Sequence, residues 1–444
     1  MKHKLLWIIC GAEVLLIIIL YICLVLHSQR KQAAGTLSRS ATTEAFSEKA
    51  SLPETGEETE PLLTETESLT ETVSQAPETE TERDSLSDTD RRVEEILSGM
   101  SLEEKAAQLF IVQPEAITGA DAVTAAGEAT QNAIFRYPVA GFIYMEPNLQ
   151  EEGQVKDMIR QVQAWSMERT GLPMFISVDE EGGTVTRISG KNFDVPYIGD
   201  MADLGSRGDP EEARETGRVM GAYLRDLGFN LDFAPVADVL DNPDNQVVRR
   251  RSFGSDPRLV ARMSLAFLEG LESQGVYGTL KHFPGHGSTS GDTHAGYASN
   301  NKTLEELKNC DLIPFREGIL QDVDFIMVGH ISLPAVTGDD TPASLSPLVI
   351  SRILREDLGH EGIVITDAMN MGAIAQNYSA SQAAVMALEA GVDLILMPSD
   401  FHSAYEGVLE AVRQGRLTEQ RIDESLRRIL KVKLSLSDDG NSDR

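Results

Sequence analysis

Lys281-His282-Phe283-Pro284-Gly285-His286-Gly287, followed by Asp292-Thr293-His294, gathers three of the chain's eight histidines, an aspartate and a lysine into one stretch. The apolar run Val276 to Leu280 leads into it, and glycines and a proline interrupt it. A strand that ends in a glycine-rich loop loaded with titratable groups is placed for chemistry, because a rigid scaffold presents such side chains to a ligand. Imidazole has an unperturbed pKa of about 6.5, so His294 can give and take a proton near neutral pH, and Asp292 two residues earlier can orient its ring. Metal ligation is the competing reading of three loop histidines and an aspartate, although no H-x-x-x-H helix pair accompanies them.

A second candidate closes Gly362-Ile-Val-Ile-Thr-Asp367, a buried-strand pattern that ends on a carboxylate before the Met-rich turn Ala-Met-Asn-Met. A carboxylate at a strand end can trap an oxocarbenium-like centre as a covalent ester, the retaining route of glycoside chemistry. Its bland alternative is a helix N-cap. Asp179-Glu180-Glu181-Gly182-Gly183, with Arg187 shortly after, follows another strand pattern. Asp179 is suited to accepting bonds from sugar hydroxyls, and the two glycines let the backbone turn closely. Arg251 offers a planar cationic fork for sugar oxygens, and Lys281 and His282 complete a polar floor. Arg249 and Arg250 read as solvated charge.

Positioning these groups requires an alternating scaffold. Eight apolar runs read as strands: Gln108–Val112, Ala140–Met145, Met174–Asp179, Asn230–Val239, Gly278–Phe283, Asp324–Gly329, Gly362–Asp367 and Val392–Met397. Their continuous apolar character suits parallel strands buried on both faces. Between them, Gly153–Met167, Pro210–Leu227, Arg258–Gln274, Leu304–Leu320, Ser346–Leu358 and Ser379–Ala390 carry helical apolar spacing, and Leu417–Leu434 closes the series. Asp209-Pro210 and Asp256-Pro257 are N-cap-plus-proline starts, while Gly228, Gly275, Gly359 and Gly391 are stops. The pattern predicts an α/β fold, a TIM (β/α)8 barrel. No G-x-G-x-x-G follows the first strand to favour a doubly wound sheet. Asp179, Asp238, Lys281-His282, His330 and Asp367 all fall at the C-terminal ends of strand runs, the rim from which such barrels build their sites.

The barrel occupies residues 91–437 of 444, followed by a short disordered tail, 438–444. Ahead of it, Leu5 to Leu26 is apolar except for Gly11, Glu13 and Tyr21 and is long enough to span a bilayer as a helix. Residues 1–27 therefore read as an uncleaved transmembrane signal-anchor, with a cleaved signal peptide as the alternative. Residues 28–90 are rich in Thr, Glu, Ser and Pro; Ala41–Asp90 holds 15 Asp/Glu against 2 Lys/Arg. Such a segment cannot bury enough apolar area to offset its ordering entropy, so it reads as a disordered, extended acidic stalk. Anchor and stalk together predict a cell-membrane protein with its folded body outside the cell. The net charge of −31, without a basic cluster, argues against nucleic-acid binding. Of the three cysteines only Cys310 lies in the body, which leaves it no intradomain disulfide. Nothing in the sequence fixes an oligomeric state.

The string KHFPGHGSTSGDTH resembles the signature of family 3 glycoside hydrolases of the β-N-acetylglucosaminidase type, in the single-domain, NagZ-like form that also occurs as exported Gram-positive enzymes. VDEEGGTVTR, RSFGSDP, VGHISLP, LSP and ITDAMNM match in the same order, so the resemblance covers 91–437. It implies a retaining enzyme that cleaves terminal β-linked GlcNAc, from peptidoglycan fragments, without metal or organic cofactor. It implies Asp367 as nucleophile, His294 as general acid/base partnered by Asp292, and Asp179, Arg187, Arg251, Lys281 and His282 as sugar-binding residues. The family usually has Gln where Glu180 stands and often Arg where Thr184 stands; the added charge at Glu180 is expected to alter leaving-group preference. The alternatives are a family 3 β-glucosidase or β-xylosidase, a GlcNAc phosphorylase in which phosphate replaces water, and a non-catalytic glycan-binding module.

Overall fold

The computed structural model describes residues 87–289, 291 and 298–442, with side chains as far as Ser437, all within the unit Pro77–Arg444. Leu5–Leu26, nearly all of the linker 28–90, and the Asp292–His294 pair lie outside the described residues. Among the described residues no helix is long and apolar enough to cross a membrane.

Each of the eight expected runs contains a strand, shorter than the run: β1 (Phe110–Val112), β2 (Gly141–Ile143), β3 (Phe175–Val178), β4 (Leu231–Asp232), β5 (Leu280–Phe283), β7 (Phe325–Val328), β9 (Ile363–Thr366) and β10 (Ile395–Leu396). Two further short strands, β6 (Ala298–Ser299) and β8 (Ile331–Ser332), pair with each other in parallel. One parallel sheet has the order β10-β1-β2-β3-β4 and another β5-β7-β9. Parallel bridges Leu231↔Tyr277 and Val236↔Lys281 join the first sheet to the second, and Ile365↔Leu394 joins the second back to the first. The strands thus follow one another in chain order around the seams. β3, β5, β7 and β9 are buried at every position, as expected where helices cover one face and packed side chains fill the other.

The helices Pro210–Leu227 and Pro257–Glu272 start where their caps predict: Asp209 accepts from the Glu211 amide and Asp256 from the Arg258 amide. The expected helix Leu304–Leu320 is two pieces, Leu304–Lys308 and Ile313–Ile319. Pro314 explains the break, since it has no N–H and its ring opposes the carbonyl four residues back. Ser346–Leu358 holds a π-helix, Leu348–Asp357, and a helix the periodicity did not single out covers Phe401–Arg413.

The folded body begins before residue 91 and helical backbone persists beyond 437. Ser87 caps a helix Asp88–Gly99 that buries Val93 and Leu97, and its Asp90 and Glu94 pair with Lys431 and Arg427 of the last helix. That last helix runs Glu419–Ser442, into the stretch expected to be a disordered tail. It also covers the N-terminal end of the strands. Lys433 Nζ donates to Gln108 Oε1 at 2.9 Å and lies 5.3 Å from the Phe175 ring centroid. Burial alone pulls the Lys433 ammonium down to about 7.

Candidate active site

The site stands at the opposite, C-terminal end of the strands. Asp179 directly follows β3, Lys281 and His282 are inside β5, His330 follows β7 and Asp367 directly follows β9. Parallel strands all deliver their C-terminal ends to one rim, so residues far apart in sequence converge there.

The network is built around a carboxylate that the sequence reading left out of the site. Glu181 Oε2 accepts from Arg251 Nε at 2.6 Å and Oε1 from Arg251 Nη2 at 2.7 Å. The same Oε1 lies 2.6 Å from Lys281 Nζ. Burial pushes the Glu181 carboxyl up, but Arg251 and Lys281 outweigh it and hold it well below the usual carboxylate range. Lys281 reaches on to Asp179 Oδ1 at 3.1 Å, and Arg187 Nη2 is 3.8 Å from Asp179 Oδ2. Asp179 retains 22% side-chain exposure, whereas Lys281 and Glu181 each retain 2%. The open acceptor faces solvent, and the charges that orient it are covered.

His282 is fixed from behind by Asp238, buried beyond β4. Asp238 Oδ2 accepts from His282 Nδ1 at 2.7 Å, and Oδ1 accepts the His282 and His286 amides at 3.2 and 2.6 Å. Arg251 Nη2 can only donate, so its 3.3 Å contact with His282 Nε2 calls for a lone pair there and puts the proton on Nδ1. His286 is buried against the His282 ring, and its Nδ1 lies 3.0 Å from Thr289 Oγ1, a packing role. Among the described residues no group of three or more His, Cys, Asp or Glu is arranged to hold a metal ion.

Asp367 is not a helix cap. The next helix, Gly372–Ala375, has Met371 at its N-cap, and Asp367 Oδ1 accepts the adjacent Ala368 amide at 2.7 Å. Burial raises the Asp367 carboxyl. The charge that His282 and His330 carry when protonated, the Ala368 amide and Lys281 together outweigh it, leaving Asp367 below the ordinary carboxylate range and ionised at neutral pH. Its residue surface is only partly covered. His330 supports the following turn: Nε2 is 3.0 Å from Ala368 O and Nδ1 2.8 Å from Ser344 Oγ.

Asp179, Arg251, Lys281 and His282 therefore form one connected network, with Arg187 at its edge and Asp367 in its field. Glu181 and Asp238 are the residues missed. Glu181 stands two positions from Asp179, and Asp238 was already on the rim. Neither could be paired with its cation or imidazole without the fold. Glu180 corrects an expectation: it is fully buried and faces its own loop rather than a bound sugar. Its carboxylate accepts the amides of Arg187, Ile188 and Ser189 at 2.6, 3.0 and 2.8 Å. It also accepts the hydroxyls of Thr186 and Tyr223 at 2.7 and 2.9 Å. The loop can close this tightly because Gly183 has φ +58° and a Cβ there would lie 2.0 Å from Asp200 Oδ1.

Carboxylates and cations meeting at the C-terminal rim of a parallel α/β scaffold stand where enzymes of this architecture build their sites. Residues 101–432 match the Glycosyl hydrolase family 3 N terminal domain. The chain belongs to glycoside hydrolase family 3. It is 37% identical over 271 residues to Beta-hexosaminidase LpqI of Mycobacterium tuberculosis, covering 59% of this chain and 68% of that one. It is 32% identical over 327 residues to Beta-hexosaminidase A of Pseudoalteromonas piscicida, covering 68% of this chain and 54% of that one. Among solved structures it is similar to a glycoside hydrolase family 3 beta-N-acetylglucosaminidase from Paenibacillus sp. str. FPU-7. That match has a TM-score of 0.72 and 38% identity, and covers 77% of this chain and 64% of the other. The chain thus spans just over half of one of these relatives and about two thirds of the other two.

Proposed function

We propose that the protein is a retaining β-N-acetylglucosaminidase, built on a closed (β/α)8 barrel, that removes terminal β-linked GlcNAc from peptidoglycan fragments. The observation that carries this reading is Asp367: an ionised, partly open carboxylate at the end of β9, in the field of Lys281 and His282. Asp367 attacks the anomeric carbon as His294 protonates the glycosidic oxygen. The leaving group departs and a glycosyl ester remains on Asp367. His294, now neutral and oriented by Asp292, takes a proton from water, whose oxygen displaces Asp367 and releases the sugar. Asp179, Lys281, Arg251 and His282 hold the sugar hydroxyls, with Arg187 at the edge. A cavity of about 730 Å³ beside Arg251, lined also by Thr184, Val185 and Gln246, offers space for the leaving group. The names of the relatives, beta-hexosaminidases and a beta-N-acetylglucosaminidase, support the same substrate class.

Turnover of chromogenic β-GlcNAc, β-glucoside and β-xyloside substrates by the wild type, Asp367→Ala and His294→Ala tests this. The reading expects preference for β-GlcNAc, loss of turnover in Asp367→Ala, and free GlcNAc as product with or without phosphate. Unchanged β-GlcNAc hydrolysis in Asp367→Ala overturns it. We also propose that Leu5–Leu26 anchors the body outside the cell through the acidic linker. Recovery of the full chain in the soluble fraction would reject that part.

A further inference from the structure

The chain leaves β5 at Phe283 and returns at β6, and the proposed acid/base pair lies on the segment between them. Both described stems of that segment end on one buried carboxylate. Ser288 Oγ, on the outgoing stem, donates to Asp311 Oδ1 at 2.5 Å. Lys302 Nζ, on the returning stem, donates to Asp311 Oδ2 at 2.7 Å and to Ser288 Oγ at 2.8 Å, and Asn300 Nδ2 lies 3.4 Å from Asp311 Oδ1. Asp311 is fully buried between the helices Leu304–Lys308 and Ile313–Ile319. The outgoing stem runs directly over it: a Cβ on Gly285 would lie 2.7 Å from Asp311 Cβ. Lys302 also reaches Asp241 Oδ2, beyond β4, at 2.9 Å. On the other side the returning strand β6 pairs with β8, next to His330.

A rim buttress of general structural use would tie one stem to the barrel. This cluster ties both stems to the barrel at Asp311 and also to each other through the bond from Lys302 Nζ to Ser288 Oγ. We propose that Ser288, Lys302 and Asp311 form a clasp whose function is to position His294 against Asp367. They are positioning residues for the acid/base step and touch no substrate. The inference rests on the assignment of His294 made above. Fixing both ends of a short loop restricts the places its middle can occupy, and a displacement of about 1 Å at a reacting group can cost on the order of 10²-fold in rate. Because general acid catalysis is itself worth about 10²–10⁴-fold, the clasp cannot contribute more than that.

The test uses the full-length chain with Lys302→Met, Ser288→Ala and Asp311→Asn, each with and without His294→Ala. The substrates are para-nitrophenyl β-GlcNAc, whose leaving group needs little protonation, and para-methoxyphenyl β-GlcNAc, whose leaving group needs much. Lys302→Met is expected to lower kcat/KM about tenfold to a hundredfold for the methoxyphenyl substrate and less than about threefold for the nitrophenyl one. In the His294→Ala background the same substitution is expected to lower neither, since the group it positions is gone. Ser288→Ala serves if either charge substitution prevents folding, as read by Tm. Equal losses on both substrates, or the same loss with and without His294, overturn the clasp while His294→Ala alone still discriminates between leaving groups. If His294→Ala makes no such discrimination, the acid/base assignment itself falls, and the clasp with it.

Discussion

Replacing Glu181 with glutamine removes a carboxylate that touches Lys281 and Arg251 at once. Lys281 and Glu181 each have 2% side-chain exposure and Arg251 has 10%, so water cannot take over. Breaking a buried ion pair by deleting one partner costs about 3–5 kcal/mol. Asp179 stays 3.1 Å from Lys281, which places the expected loss at the low end, about 3 kcal/mol. At roughly 2 °C per kcal/mol for a body of this size, Tm falls by about 6 °C. The loss depends on pH. Glu181 has a folded-state pKa held below its ordinary 4.5. Its stabilisation is therefore complete above about pH 4.5 and disappears as pH falls through the lower folded value. The Tm gap between wild type and Glu181→Gln should be widest at pH 6–7 and close progressively below pH 4.5. Loosened Lys281 and Arg251 should also lower kcat/KM at pH 7 by about 10²-fold. Differential scanning calorimetry across pH with parallel kinetics measures both. A gap of under about 1 °C that ignores pH, with unchanged kcat/KM, would falsify the central place given to Glu181.

Asp238→Asn weakens the acceptor that holds His282 Nδ1 at 2.7 Å. It should cost about 1.5–3 kcal/mol of transition-state binding, or tenfold to a hundredfold in kcat/KM, and steady-state kinetics showing less than a twofold loss would count against it. Glu180→Gln would set an amide NH2 among the donors of Arg187, Ile188, Ser189, Thr186 and Tyr223. Urea denaturation should register a loss of about 1–3 kcal/mol, and a neutral result would show that the loop tolerates an amide. Lys433, with its ammonium pulled to about 7 from 10.5, releases its proton in the folded state before the unfolded one does. The unfolded state then binds more protons between those values, so stability rises with pH across that window. Lys433→Met should abolish this rise, and a variant whose Tm tracks the wild type from pH 6 to pH 10 would refute the assignment.

Much of the scaffold was legible because it rests on local chemistry. The eight strand runs are continuous apolar stretches, and the helix starts at Pro210 and Pro257 coincide with Asp-Pro caps. The break at Asn309–Leu312 was also written in the sequence, in Pro314, but the surrounding apolar periodicity concealed it. The ends of the body were misplaced for a different reason. Asp88–Gly99 is acidic and polar like the linker before it, but its helix buries Val93 and Leu97 and pairs through Glu94 with Arg427 of the last helix, more than three hundred residues away. No local pattern carries that partnership.

The sequence by itself determined the kind of site: strands that end on Asp179, Lys281-His282, His330 and Asp367 must bring carboxylates, a cation and imidazoles to one rim if they lie parallel. Only the tertiary structure decided which charges meet. Adjacent carboxylates of identical chemistry, Glu180 and Glu181, are sent to opposite tasks. One gathers the amides of its own loop, and the other holds the two cations Arg251 and Lys281. The physical reason is that a residue's type fixes what it can bond to, while its backbone direction after β3, set by Gly182 and Gly183 turning against Asp200, fixes what it reaches.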